Sequence, residues 1–294
     1  MFPGGLDVQI SPIELTIQHE QGSPSAAPRT LRILTPDAEA RAPTPRPQTP
    51  TVMSNLEHLN TSELGTKSYW DAAYTTERQN FSSNPDDEGT IWFSDAGAEE
   101  RMLAFLENLS DAGQLRKDAS SDDTPTRFLD LGTGNGHLLF ALREEEWEGQ
   151  MVGVDYAPQS VRLANEIRDS KGEGYGDIQF HEWDLLGEEP GAWVAGGFDV
   201  VLDKGTFDAI CLAQETDAQG RRLCEGYREK VEKLITKGGR FLITSCNWTE
   251  DEVKGWFDVE GGELVYESKA KYPSFTFGGK TGTSVCTLCF RRKA

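Results

Sequence analysis

The stretch FLDLGTGNGHLLFALREEEWEGQMVGVDY, residues 128–156, decides the fold. A short apolar run of strand length (Phe128, Leu129, Leu131) breaks at Gly132, Gly134 and Gly136, a helical pattern follows, and a second apolar run closes the unit at residues 151–154. This is a strand, a glycine turn, a helix and a second strand. Glycines at these spacings let the backbone turn sharply and bring its N–H groups close to a bound molecule, and the helix beginning near Gly136 turns its positive end the same way. A dinucleotide fingerprint requires G-x-G-x-x-G or A; here its last position is His137 and the spacing is G-x-G-x-G, which weakens a pyrophosphate reading. Asp155, at the end of the second strand and about 20 residues beyond the glycines, suits a carboxylate that accepts both hydroxyls of a ribose. Asp130, ahead of the turn, is placed to orient it or to receive a ligand ammonium. A nucleoside without phosphates fits best.

Outward from this unit the alternation continues. Pro158 opens a helix (159–168), and a glycine-rich link leads to a third strand (178–183) ending in Asp184. A fourth strand (198–202) runs into Asp203, and a helix with Leu223, Tyr227, Val231, Leu234 and Ile235 on one face ends at Gly238 and Gly239. A fifth strand covers 240–246, and two more, 264–277 and 284–292, are expected to pair as an antiparallel hairpin through 278–282. Ligands of open α/β sheets sit at the carboxyl ends of the strands, so Asp130, Asp155, Asp184 and Asp203 are expected on one edge. Upstream, Ser68 is expected to cap a helix carrying Trp70, Tyr74 and Phe81, and residues 90–93 to lead into a second helix with the stripe Met102, Leu103, Leu106 and Leu109. Tyr69, Trp70 and Trp92 either pack as core or lie over a ligand cation; the sequence leaves both open. Residues 111–125, polar and small, read as a loop.

The chain has 294 residues, enough for one large α/β domain or two small ones. No apolar run approaches the ~20 residues of a membrane span, and the N-terminus lacks the pattern of a secretory signal, so an intracellular, cytoplasmic protein is expected. Five cysteines stand at 211, 224, 246, 286 and 289 without the spacing of a disulfide framework. Cys286 and Cys289 form C-x-x-C in a strand-like run, where positions three apart face opposite ways, so no metal site is expected. Acidic residues number 49 against 29 basic, a formal charge of −20. Such a field repels phosphate backbones and favours a basic protein over nucleic acid as partner. Residues 1–53 hold nine of the fourteen prolines and are expected to form a disordered tail, with the folded domain over 54–294. Within the tail Leu6, Val8, Ile10, Ile13, Leu15 and Ile17 alternate like strand residues, either to meet a sheet edge or a partner or simply as a sticky segment.

D-x-G-x-G-x-G with a downstream acid resembles the S-adenosylmethionine site of class I methyltransferases. That resemblance implies a three-layer, Rossmann-like α/β fold with a seven-stranded sheet and a C-terminal antiparallel hairpin. Three strings, LDLGTGNG (129–136), DKGTFDAI (203–210) and SCNWT (245–249), with KSYWDAAY (67–74) upstream, resemble in that order the elongation factor 1-alpha lysine methyltransferase family. The likeness covers residue 54 onward; WFS at 92–94 departs from the expected WFG. It implies a protein-lysine N-methyltransferase acting on elongation factor 1-alpha with S-adenosylmethionine as cofactor. Implied cofactor contacts are Trp70, Asp130, Gly132, Gly134, Gly136, Asp155, Tyr156, Trp183, Asp184 and Asp203, with Asp184 holding the adenine amino group. Implied catalytic residues are Asp203, Asn247 and Trp248, with Thr206 and Phe207 shaping the channel. Asp203 is expected either to receive and aim the lysine amine or to be a turn-forming carboxylate that never meets substrate, and Lys204 to pair with a neighbouring acid. Nucleic-acid base methyltransferases usually carry (N/D)-P-P-aromatic after the fourth strand, where this chain has DKGTF. The alternatives are a small-molecule methyltransferase, an NAD-linked oxidoreductase and a non-catalytic S-adenosylmethionine-binding scaffold.

Overall fold

The computed structural model describes residues 58–119, 124–273, 275–277 and 280–294. The proline-rich segment, the alternating residues within it and part of the 111–125 loop lie outside the described residues.

Seven strands form one sheet: β1 (Phe128–Leu131), β2 (Met151–Asp155), β3 (Gln179–Glu182), β4 (Phe198–Lys204), β5 (Ile235–Ser245), β6 (Leu264–Lys269) and, after a small hairpin of β7 (Phe275–Phe277) and β8 (Lys280–Gly282), β9 (Cys286–Arg292). The order is β3-β2-β1-β4-β5-β9-β6, parallel through β5 and antiparallel where β9 inserts between β5 and β6. The expected fold class is therefore the observed one.

Strand periodicity sorts the core into two layers. Leu129, Leu131, Val201, Phe241 and Ile243 face one side, and Phe128, Val200, Leu202 and Leu242 the other. The second face is covered by α1 (Lys67–Ser83), α2 (Ala98–Asp111), α3 (His137–Glu144) and α4 (Pro158–Lys171), through Tyr74, Phe81, Met102, Leu106, Phe140 and Leu163. The first is covered by α5 (Thr206–Cys211), α6 (Cys224–Leu234) and α7 (Glu250–Phe257), through Phe207, Tyr227, Val231, Trp256 and Phe257. Each fully buried Leu or Phe contributes roughly 1.5–3 kcal/mol. Cys286 and Cys289 fall in opposite layers, as three-residue spacing in a strand requires.

Four local expectations are corrected. Thr66, not Ser68, caps α1, its hydroxyl accepting from the Tyr69 amide. Ile235 leaves the helix and opens β5, which is longer than expected. The expected 264–277 strand is two strands, because Pro273 has no N–H to donate to a ladder. Helix α7 was not foreseen, although Thr249 and Glu252 spell its capping box. Among the described residues no helix is long and apolar enough to cross a membrane.

Candidate active site

β1 delivers the chain to the glycine turn. Gly132, Gly134 and Gly136 have φ of 65°, 59° and 83°, the left-handed region where a side chain is strained. Space is short as well: a Cβ on Gly134 would stand 2.6 Å from the Tyr74 hydroxyl, and one on Gly132 would overlap Thr206. The turn is thus packed between α1 and the start of α5.

Asp155 ties the turn to β2. One carboxylate oxygen accepts from the Gly134 amide (3.1 Å) and the other from the Ala157 amide (2.9 Å), while Ser160 Oγ donates to the Gly134 carbonyl (2.7 Å). A carboxylate has about four acceptor positions, so two donors leave room for ligand hydroxyls. Burial raises its pKa despite these donors. Asp130, 3% exposed, lies one layer in; burial pushes it up to about 7 even with the Lys204 ammonium nearby.

The four strand-end acids do share one edge, but they do not share one face. Asp130 pairs in register with Gly153 and Leu202, whereas Asp203 pairs with Leu131. Partners in register point the same way, so Asp130 lies on the α1–α4 side and Asp203 on the α5–α7 side. Asp203 is fully buried and already occupied: it accepts from the Thr206 amide (2.8 Å), the Phe207 amide (3.0 Å) and the Tyr227 hydroxyl (2.5 Å). Burial drives it up to about 7. Of its two expected roles, this is the geometry of the turn-forming carboxylate, which corrects the amine-receiving role.

The remaining expected contacts divide similarly. Asp184 is exposed at the end of β3 and accepts from the Leu186 amide (2.9 Å). The Trp183 indole is buried in the α5–α7 layer against Trp193 (5.2 Å between centroids), while its backbone amide donates to the Asp155 carbonyl. Tyr156 is half-buried under Lys67, whose ammonium donates to the Tyr156 carbonyl (2.7 Å). Trp70 donates to the Leu64 carbonyl, stacks on Tyr74 and meets Tyr69 and Trp92 edge-on, so these aromatics form one cluster flanking the turn.

Across the mouth stands the 245–248 turn. Buried Asp208 organises it, accepting from Ser245 Oγ (2.6 Å) and from the Cys246 (2.8 Å) and Asn247 (3.3 Å) amides. Ser245 Oγ in turn accepts from the Asn247 and Trp248 amides. Asn247 is half-buried at the turn, whereas the Trp248 indole is 6% exposed and packs against Phe207 and Trp256. Trp248 is therefore core beneath the turn and not part of its open face. Thr206 binds the other flank, its hydroxyl donating to the Leu131 carbonyl (2.6 Å). At the departing WFS string, Phe93 takes φ of 63° and its ring abuts Gly205, where a Cβ would stand 2.9 Å away.

Three contributors were not singled out from the sequence. Tyr74 enters the sequence only as one residue of the expected helix face, yet its hydroxyl covers Gly134. Asp208 lay inside DKGTFDAI without a role. Glu99, buried at the start of α2, receives the His137 ring (2.6 Å to Nδ1) and had no sequence signal beyond its place in the first turn.

Residues 122–288 match the family described as a methyltransferase domain. The protein-lysine N-methyltransferase EFM4 of Saccharomyces cerevisiae is 41% identical over 81% of this chain and 98% of that protein. The efm4 protein of Schizosaccharomyces pombe is 40% identical over 80% and 97%. The human EEF1A lysine methyltransferase 2 is 35% identical over 79% and 87%. Likeness at this level, over about four fifths of the chain, makes it a member of the elongation factor 1-alpha lysine methyltransferase family.

Proposed function

We propose that this chain transfers a methyl group from S-adenosylmethionine to a lysine of elongation factor 1-alpha. The observation that carries the reading is that a relative named as a protein-lysine N-methyltransferase aligns over 98% of its length and one named as an EEF1A lysine methyltransferase over 87%. The cytoplasm, where translation runs, is the proposed compartment, and nucleic acid is not the proposed substrate because a chain of charge −20 repels it.

The residues present fit the cofactor. The glycine turn is a cradle with no room for side chains, and one oxygen of buried Glu99 has no hydrogen-bond partner among the described residues. When bound, S-adenosylmethionine supplies a sulfonium methyl open to attack by a nitrogen lone pair. Asp155 would hold the ribose hydroxyls, Asp184 the adenine amino group beside the Trp183 backbone, and Asp130 the ammonium, with the turn backbone at Gly132, Gly134 and Gly136 beneath. Trp70 and Tyr156 would flank it.

The acceptor lysine must arrive as a free amine. An unperturbed lysine of pKa ~10.4 is neutral in about one molecule in a few thousand near pH 7, so aiming and exclusion of water count heavily. Asn247, on the turn that Asp208 holds, is the polar side chain we assign to the amine. Asp203 acts by position: it caps α5 and fixes the backbone of Lys204 to Thr206 at the mouth. Phe207 and Trp248 hold the floor from within the core.

The test is incorporation of labelled methyl into purified elongation factor 1-alpha and into a fractionated cell extract. Label in that protein is the expected result. Label confined to the small-molecule fraction would favour the small-molecule alternative, and no label anywhere would favour the scaffold.

A further inference from the structure

Glu99 and Lys204 sit beside the glycine turn, and neither has yet been given a part of the cofactor to hold. Glu99 belongs to the first turn of α2 and is 5% exposed. One carboxylate oxygen meets His137 Nδ1 at 2.6 Å; the other is buried, has no hydrogen-bond partner among the described residues, and lies 3.7 Å from Lys204 Nζ. At that separation charge attracts without a hydrogen bond. Lys204 follows Asp203 at the end of β4, is mostly buried, and donates to the Trp92 carbonyl at 3.1 Å. An ammonium has three donors, so most of its capacity is unspent there. Asp130 lies close enough to feel both charges.

A buried carboxylate oxygen without a donor is costly, and so is a mostly buried ammonium with one bond. Together they present one acceptor and one donor group side by side, next to Asp130 and at the open end of the turn. An amino-acid end, carrying an ammonium and a carboxylate on one carbon, satisfies both at once. Among the described residues nothing supplies that Glu99 oxygen with a hydrogen-bond donor, so the pair stands 3.7 Å apart with both groups underused.

We propose that Glu99 and Lys204 complete the cofactor cradle at its methionine end, Glu99 accepting from the α-ammonium beside Asp130 and Lys204 donating to the α-carboxylate. The inference rests on the cofactor reading above. His137 holds Glu99 in place from the side away from Lys204 and is a positioning residue.

Calorimetry on the full chain with two nucleosides tests it: S-adenosylhomocysteine, which carries the amino-acid end, and 5′-methylthioadenosine, which lacks it. Glu99→Gln and Lys204→Gln should each weaken S-adenosylhomocysteine about 10- to 100-fold, the loss of one charged hydrogen bond, and leave 5′-methylthioadenosine within about twofold. Should Glu99→Gln fail to fold, Lys204→Gln carries the same comparison. A variant that binds S-adenosylhomocysteine like the wild type, or that loses both ligands equally, overturns the assignment while the cofactor reading stands. A wild-type chain that binds neither nucleoside overturns the cofactor reading itself.

Discussion

Replacing Asp130 by asparagine is expected to stabilise the chain and weaken its cofactor binding at once. The Asp130 pKa rises from 3.8 to about 7, chiefly through burial. A carboxylate whose folded-state value is raised contributes stability that is fully present below its unfolded value and is lost as pH rises through about 7. The gap, at about 1.4 kcal/mol per pH unit, amounts to at most ~4 kcal/mol at pH 8 and under about 2 kcal/mol at pH 5. Asparagine has nearly the same shape and no charge to bury, so much of that cost disappears at pH 8. At roughly 2–4 °C per kcal/mol for a domain of this size, the melting temperature should rise by up to about 10 °C at pH 8 and by less than half as much at pH 5. The same substitution removes the proposed partner of the cofactor ammonium, a charged hydrogen bond worth roughly 1.5–3 kcal/mol, or about 10- to 100-fold in affinity. Thermal denaturation at both pH values, with calorimetric titration of S-adenosylmethionine, reads the two effects. A variant that melts lower than wild type at pH 8, or that binds the cofactor unchanged, would refute the reasoning.

Asp155→Ala should stay folded yet bind S-adenosylmethionine about 10- to 100-fold more weakly, as titration of the purified variant will show. Asp208→Asn should leave cofactor affinity near wild type and raise KM for the protein substrate at least severalfold, because it loosens the Asn247 turn from a distance; equal loss of cofactor binding would point to general unfolding instead. A chain beginning at Ser54 should keep its melting temperature and cofactor affinity, since it retains His58 against Trp256 and Glu225 and the Leu59 carbonyl under Arg222; a large fall in melting temperature would show that the removed residues pack on the domain. Methylation should slow as salt shortens the Debye length from about 10 Å to about 3 Å, if a surface of charge −20 attracts a basic substrate; a rate indifferent to salt would remove that attraction.

The parts legible in the sequence are those that local periodicity dictates. Strand β1, its glycine turn and helix α3 follow from apolar spacing and from backbone angles that only glycine takes easily, and the acids at strand ends follow from where the apolar runs stop. The direction of each acid was not legible, because it depends on register between strands. Asp130 and Asp203 look alike in sequence, each following two or more apolar residues, yet Asp203 aligns with Leu131 and Asp130 with Leu202, so they face opposite layers. A one-residue difference in register reverses a side chain. The Thr66 cap was missed for a related reason: Thr66 and Ser68 are both competent, and only the extended backbone at Thr66 (φ −107°, ψ 139°) decides between them. Glu99 is invisible in sequence because its significance comes from His137 and Lys204, 38 and 105 residues away.

Register also explains how the site divides its labour. Asp130 and Asp155 lie on the α1–α4 side with the glycine turn, while Asp203 and Asp208 lie on the α5–α7 side, where they accept from the amides that begin α5 and shape the 245–248 turn. All four are buried, and burial raises each of them. The first pair faces the proposed cofactor, whose ammonium and hydroxyls can repay the desolvation of the carboxylates. The second pair is repaid within the protein, by backbone amides, Tyr227 and Ser245. A cationic ligand should therefore act on Asp130 and not on Asp203: binding should lower the Asp130 pKa and release protons near pH 7, whereas Asp203, sealed behind α5, should titrate the same with or without it. An ionisation near 7 in the apparent cofactor affinity is therefore expected from Asp130, with His137, raised by its bond to Glu99, as the other titrating group beside the turn; Asp130→Asn should remove the first and leave the second.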